Sequence, residues 1–292
     1  MDILNSEREE SKKNHEYFIG FIGCGNMAIS IAMGLMNKNM IDPSEIIISG
    51  TSSNSFKKWE KFKVNTTLNN VEVVEKSKII FLCVKPNALT AVCSQFSERK
   101  ESFYSKKTLV SILAGIKLAK IMSYFFLVNC KNMSFVRAMP NTPLQIGAGA
   151  TVLTKIDPET EDSLKNLETI KTLFGALGIV DTVEESKFHA ITGLSGSGPA
   201  YIYTIIDALS DAGVKQGLPR ELATRFAAQT VFGSSKNVLE SGLHPAVLKE
   251  QVTSPGGTTI YGVHELERGR IRDTLINAVE AATKRSKELA RF

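Results

Sequence analysis

From Tyr17 onward, short apolar runs alternate with longer stretches in which apolar positions recur every three or four residues. The short runs predict strands at Tyr17 to Ile22, Ile46 to Ser49, Lys78 to Val84, Thr108 to Ile112, Ser134 to Arg137 and Ala150 to Leu153. Helices are expected between them at Met27 to Met36, Phe56 to Phe62, Ala88 to Phe96 and Leu118 to Phe126. Strands that alternate with helices in this way lie parallel in one sheet with helices on both faces, so residues 17–157 read as a doubly wound α/β domain. After Asp157-Pro158 the runs lengthen, become rich in alanine and leucine, and carry proline or glycine at their ends. Residues 158–292 therefore read as an all-helical C-terminal domain, with helices starting at Pro199, Pro219, Pro245 and after Gly257; the second ends near Gly242. Small residues along that second helix, Ala223, Ala227, Ala228, Gly233 and Ser234, would let another helix approach closely.

Composition narrows the class. A chain of 292 residues, 43% hydrophobic, can bury two cores. The net charge is +5 and the pI about 8.9, but basic and acidic residues are interleaved, which argues against nucleic acid as a partner and leaves a mild attraction for small anions. No apolar stretch approaches the roughly 20 residues that span a bilayer, so no membrane is expected. Cys24, Cys83, Cys93 and Cys130 lack metal or disulfide spacing and fit a reducing compartment. Residues 1–16 place Asp2, Glu7, Glu9, Glu10 and Glu16 against Arg8, Lys12 and Lys13 without apolar periodicity. They match neither a secretory nor a mitochondrial leader, and the expectation is a dispensable disordered tail on a cytoplasmic protein.

Gly23-Cys24-Gly25-Asn26-Met27-Ala28 follows the first strand and opens a helix, the arrangement of a dinucleotide-binding turn with alanine in its last place. Glycines there let the backbone approach a pyrophosphate, which the amides of the helix N-terminus then hold. The alternative is a glycine turn that binds nothing. The second strand runs into Ser49-Gly50-Thr51-Ser52-Ser53-Asn54, with no carboxylate to repel a 2′-phosphate and no arginine to require one. NADPH is therefore permitted, and NADH is not excluded. Lys85, after the strand that includes Phe81-Leu82-Cys83-Val84, reads equally as a phosphate or ribose contact and as a solvated lysine.

Five blocks together carry a resemblance: GFIGCGNMA from Gly20, FLCVKP from Phe81, RAMPNTP from Arg137, TGLSGSGPAY from Thr192 and HPAVLKEQVTSPGGTTI from His244. In order and spacing they resemble the pyrroline-5-carboxylate reductase family, from about Tyr17 to near the C-terminus. The resemblance implies reduction of Δ1-pyrroline-5-carboxylate, a small cyclic imino acid, to L-proline with NAD(P)H, the final step of proline biosynthesis. It implies an N-terminal Rossmann domain and a helical C-terminal dimerisation domain, with a homodimer assembled further into a decamer. Cofactor contacts then fall on Ile22, Gly23, Cys24, Gly25, Asn26, Met27, Ser49, Gly50, Thr51, Asn70, Cys83, Val84, Lys85, Pro86, Ile112, Leu113, Ala114 and Gln251. Substrate contacts fall on Glu185, Ser254, Gly256, Gly257, Thr258 and Thr259. The run Ser111-Ile112-Leu113-Ala114-Gly115 is bulkier than the family pattern at that place.

Read without the family, Ser254-Pro255-Gly256-Gly257-Thr258-Thr259 sets free amides and three hydroxyls before a helix, which suits a carboxylate. A plain N-cap with Ser or Thr capping is the competing reading. The block from Thr192 to Pro199 reads mainly as a close-packed joint before a helix, with Thr192 a possible cleft residue. No histidine has a partner at metal-ligand spacing, so no metal is expected. Reducing an imine needs no strong base, and a hydroxyl such as Thr259 would suffice as the catalytic donor. The sequence leaves two rivals open: a β-hydroxyacid-type dehydrogenase, and a non-enzymatic NADPH-binding regulator.

Overall fold

The computed structural model describes residues 2–96, 106–126 and 133–290; Cys130 lies outside them. The chain forms two compact units, Met1–Gly196 with Ala282–Phe292, and Ser197–Ala281. The division falls after Gly196 rather than at Asp157, because a strand that follows Asp157 joins the sheet and the helix before it packs against the sheet.

The first unit opens with α1 (Asp2–Asn14), β1 (Tyr17–Ile22), α2 (Asn26–Asn37), β2 (Ile46–Ser49), β3 (Asn65–Thr67), α3 (Asn70–Lys76), β4 (Ser77–Leu82) and α4 (Leu89–Cys93). It continues through β5 (Thr108–Ser111), α5 (Leu118–Phe126), β6 (Ser134–Met139), β7 (Gly149–Leu153), α6 (Glu161–Gly175), β8 (Gly178–Thr182) and α7 (Phe188–Ile191). The strands stand in the order β3-β2-β1-β4-β5-β6-β7-β8. The first six are parallel, β7 is antiparallel to β6, and β8 is parallel to β7. This is the doubly wound order whose switch point lies between β1 and β4.

Successive strand side chains point to opposite faces, and here both faces are covered. Ile19, Phe21, Ile46, Ile48, Ile79, Phe81, Val110 and Val136 enter one core with Ile31 and Leu35 of α2 and Leu173 and Phe174 of α6. Ile22, Ile47, Ile80, Leu82, Leu109 and Phe135 enter the other with Val73 and Val74 of α3 and Ile121 and Phe125 of α5. Gly20 of β1 is required by this packing, because a Cβ there would sit 2.6 Å from Val73 Cγ1.

Three expectations need correction. Phe56 to Phe62 is not an α-helix but two short 3-10 turns, Ser53–Phe56 and Glu60–Phe62; Trp59 is the one residue of this stretch that is fully buried, with Phe62 packed partly buried beside it. The polar edge strand β3 and the strand β8, whose apolar pair Ile179-Val180 is short and leaves Ile179 exposed, escaped the pattern. The N-terminal segment is not a disordered tail: α1 buries Leu4, pairs Glu7 with Lys78 of β4, and sets Arg8 on Glu45 and the Met40 carbonyl. Each of these acids and bases finds a fixed partner on the body of the unit, which a count of charges cannot reveal.

The second unit is helical throughout: α8 (Gly198–Lys215), α9 (Arg220–Ser241), α10 (Pro245–Gln251), α11 (Thr258–Arg268) and α12 (Ile271–Leu289), the last turns of α12 grouping with the first unit. Ala223 and Ala227 are the buried residues of α9; a Cβ on Gly213 of α8 would meet Ala223 Cβ at 3.0 Å. Phe226 (60% exposed), Phe232 (57%) and Leu239 (72%) of the same helix remain open to solvent within this chain. So large an apolar surface marks an association face. No helix among the described residues is long and apolar enough to cross a membrane.

Candidate active site

The turn between β1 and α2 is shaped for close approach of a ligand to backbone. Gly23 has φ +99, and a Cβ there would lie 2.9 Å from the Cys83 carbonyl oxygen, so only glycine fits. Gly25 is extended and serves as N-cap of α2 without any side-chain cap. A Cβ on Gly25 would meet no atom within 4 Å, so the space over the first amides of α2 is open. Open space, uncapped amides and the positive end of a helix fit the pyrophosphate of a dinucleotide.

The strand ends around this turn are laced together. The Gly23 amide donates to the Ser49 carbonyl at 3.2 Å, the Cys83 amide to the Ile22 carbonyl at 2.8 Å, and the Ile112 amide to the Leu82 carbonyl at 3.3 Å. Ser49 is buried and its hydroxyl donates to Asn70 Oδ1 at 2.6 Å, which places Asn70 beside the end of β2; Asn70 Nδ2 donates to Gln95. The structure thus gathers Ile22 to Met27, Ser49, Asn70, Cys83 and Ile112 at one edge of the sheet. Thr51, Lys85, Pro86 and Ala114 are exposed beyond it, Val84 is half-buried and Leu113 buried. Burial pushes the Cys83 thiol well above the usual range, so it is neither base nor nucleophile.

Sequence reasoning missed the segment that backs this turn. Trp59 Nε1 donates to the Cys24 carbonyl at 3.0 Å while its ring packs 6.3 Å from Phe21, centroid to centroid. Lys58 Nζ donates to Asn26 Oδ1 at 3.2 Å. A cavity of about 560 Å³ between the segment and α2 is lined by Asn26, Ser30, Lys57, Lys58, Glu60 and Lys61, among others. The one available signal was the single tryptophan of the chain among lysines.

Glu185 stands apart from that edge. Its Oε1 accepts the Leu118 amide at the start of α5 at 2.7 Å and Arg137 Nη1 at 3.0 Å. Arg137 is buried, lies 4.6 Å over the Phe188 ring, and keeps an Nε without a partner. The block from Thr192 is a turn of π-helix to Gly196, held by Asn141 Nδ2 on Ser195 Oγ at 3.2 Å. A Cβ on Gly196 would reach Met139 Cε at 2.7 Å, which supports the close-packed reading of that joint. His189 Nδ1 lies 2.9 Å from Ser286 Oγ. No cluster of metal-ligating side chains occurs among the described residues.

In the helical unit, α11 begins after Gly256, with φ +66, and Gly257, its N-cap. No side chain caps the helix, which decides against the plain N-cap reading. Ser254 instead accepts the Gly257 amide through its backbone carbonyl at 3.1 Å. Thr258 is exposed and Thr259 half-buried. The loop therefore presents the uncapped Thr258 and Thr259 amides of a helix N-terminus and hydroxyls together. Gln251 closes the preceding helix and is exposed.

Comparison with known proteins gives this geometry a context. The family described as pyrroline-5-carboxylate reductase dimerisation matches residues 185–289, and that described as NADP oxidoreductase, coenzyme F420-dependent, matches residues 18–115. The chain is 45% identical to pyrroline-5-carboxylate reductase of Arabidopsis thaliana over 99% of each chain. It is 37% identical to pyrroline-5-carboxylate reductase 2 of Homo sapiens over 93% of this chain and 83% of that one. Among solved structures, it is similar to the Plasmodium falciparum pyrroline carboxylate reductase with NADP bound, at a TM-score of 0.81 and 32% identity over 94% and 99% of the two chains. Near-complete coverage at such identity, on top of a dinucleotide turn and an uncapped anion loop, is decisive: the chain belongs to the pyrroline-5-carboxylate reductase family.

Proposed function

We infer that the protein reduces Δ1-pyrroline-5-carboxylate to L-proline with NADPH, the final step of proline biosynthesis. The observation that carries the site assignment is the α11 N-terminus, which a glycine caps and no side chain satisfies. NADPH, when bound, supplies the hydride; the residues from Ile22 to Met27, Ser49 to Thr51, Asn70, Cys83 to Pro86, Ile112 to Ala114 and Gln251 are the ones we assign to holding it.

The carboxylate of the imino acid lies against Gly257, on the amides of Gly256 and Thr258, with the Ser254 and Thr258 hydroxyls beside it. Backbone amides and the helix dipole favour the anion without a cationic side chain. Thr259 donates its hydroxyl hydrogen bond to the ring nitrogen. As hydride reaches the adjacent carbon, the nitrogen gains the proton that makes it an amine along the Thr259 hydrogen bond, and solvent returns a proton to the Thr259 hydroxyl. Glu185, fixed by Arg137 and the Leu118 amide, is assigned to the substrate through its remaining oxygen. The protein's contribution is chiefly alignment, since reacting atoms must approach to about 3–3.5 Å.

Cofactor binding, Gln251 apart, is thereby assigned to residues 17–157 of the first unit, and substrate binding and pairing to residues 158–292, which include the whole second unit; the dimerisation match over 185–289 supports the latter. The exposed apolar side chains of α9 support a homodimer, and the family resemblance supports its assembly into a decamer. Free Cys24, Cys83 and Cys93 support a cytoplasmic location. The test is NADPH oxidation with pyrroline-5-carboxylate beside its six-membered analogue and a panel of 3-hydroxy acids. Turnover with the imino acids and none with the hydroxy acids is expected; the reverse would overturn the reading in favour of a β-hydroxyacid dehydrogenase.

A further inference from the structure

The end of β2 is where a Rossmann domain tells NADPH from NADH, and here it carries neither the acid that selects NADH nor an arginine. The chain folds straight back over that end: a Cβ on Gly50 would meet Ser55 Oγ at 2.7 Å and Phe56 Cε1 at 2.8 Å. Three residues later, Trp59 is pinned by its indole to the Cys24 carbonyl of the glycine turn. Lys57 and Lys58 follow one another in the chain between these two anchors, Phe56 packed over Gly50 and Trp59 bonded to Cys24. Lys58 reaches the first residue of α2, and both lysines line the same cavity. Lys61 and Glu60 share it, and their charges offset, so the net positive charge there is that of the two leading lysines.

We propose that Lys57 and Lys58 recognise the 2′-phosphate of NADPH, with Trp59 fixing the segment that presents them. This rests on the assignment of the glycine turn to NADPH. A dianionic phosphate between two ammonium groups gains charge-assisted hydrogen bonds that a ribose hydroxyl cannot match. Lysine acts as a point charge and leaves NADH able to bind, which is why the site prefers NADPH without requiring it.

The experiment measures cofactor affinity in the absence of imino acid, so it stands independently of turnover. Trp59 is the single tryptophan, and quenching of its emission on addition of NADPH or NADH gives both dissociation constants directly. In the Lys57→Gln/Lys58→Gln variant, the ratio of the NADH to the NADPH constant should fall by about ten- to a hundredfold, the range for a hydrogen bond to a charged group. Lys58→Arg should keep most of the ratio. Raising salt should erode it in the wild type more than in the double variant. An unchanged ratio would overturn the proposal. So would an equal loss of both cofactors, which would place the lysines on the pyrophosphate instead. A wild type that bound NADPH preferentially but reduced no imino acid would refute the activity and leave this proposal standing.

Discussion

Helix α1 should be docked, and its removal should cost stability by an amount with a ceiling. Leu4 is 1% exposed, and burying a leucine is worth about 1.5–3 kcal/mol. Glu7 and Lys78 pair with about one-tenth of each side chain exposed, and breaking a buried pair by removing one partner costs about 3–5 kcal/mol if nothing else moves. Something else can move. Once Glu7 is neutralised, the helix can leave, and Lys78 regains water instead of remaining buried alone. The loss is then capped by the docking free energy of α1, on the order of 2–3 kcal/mol once the entropy of ordering the helix offsets part of its contacts. Leu4→Ala, Glu7→Gln and deletion of residues 2–14 should therefore lower the melting temperature by a similar amount, roughly 4–8 °C for a chain of this size. The Leu4→Ala/Glu7→Gln double variant should lose hardly more than either single one. Thermal melts followed by circular dichroism provide the numbers, and tryptic cleavage after Arg8 reports release of the helix. A deletion that leaves the melting temperature within about 1 °C would refute docking, and fully additive losses would refute the ceiling.

Three further outcomes follow from the sites. Thr259→Ala should lower kcat about ten- to a hundredfold while Thr259→Ser retains most of it, because the donor matters most as charge changes on nitrogen; an unchanged kcat in steady-state assays would remove Thr259 from the mechanism. Trp59→Phe keeps a ring against Phe21 but loses the hydrogen bond to Cys24, so KM for NADPH should rise about three- to tenfold with kcat little changed, as one neutral hydrogen bond warrants; a fall in kcat alone would contradict the positioning role. His15 is held neutral, with its pKa lowered to about 4 by burial first and then by Lys107 and Lys78. Between its unfolded value near 6.5 and about 4, the unfolded chain binds a proton that the folded one does not, so stability falls as pH drops through that window. Melts from about pH 7 to pH 5 should show a steeper loss in the wild type than in His15→Gln, and parallel curves would contradict the assignment.

Where the sequence was legible, one physical signal was strong and local. β1 and β2 match their expected bounds because both faces of a central parallel strand are apolar, and α9 ends at a glycine whose φ of +66 its composition announced. The glycine turn was legible because close backbone approach demands glycine at Gly23. What escaped depends on partners distant in the chain. α1 carries little apolar pattern of its own, and its place is set by Lys78 and Glu45. Trp59 reaches back 35 residues to Cys24, and nothing in its neighbourhood marks it as part of a nucleotide site. Arg137 stood in a quoted block without a role until burial and the Glu185 contact supplied one.

The central claim is direct delivery of hydride from NADPH to the imine carbon, and isotopic transfer tests it most directly. NADPH carrying deuterium at the transferable position of its nicotinamide ring would be turned over with Δ1-pyrroline-5-carboxylate, and the product examined by mass spectrometry and NMR. The account predicts L-proline with one deuterium, on the ring carbon that had been double-bonded to nitrogen. Proline without label at that carbon, or oxidation of NADPH without proline, would contradict it.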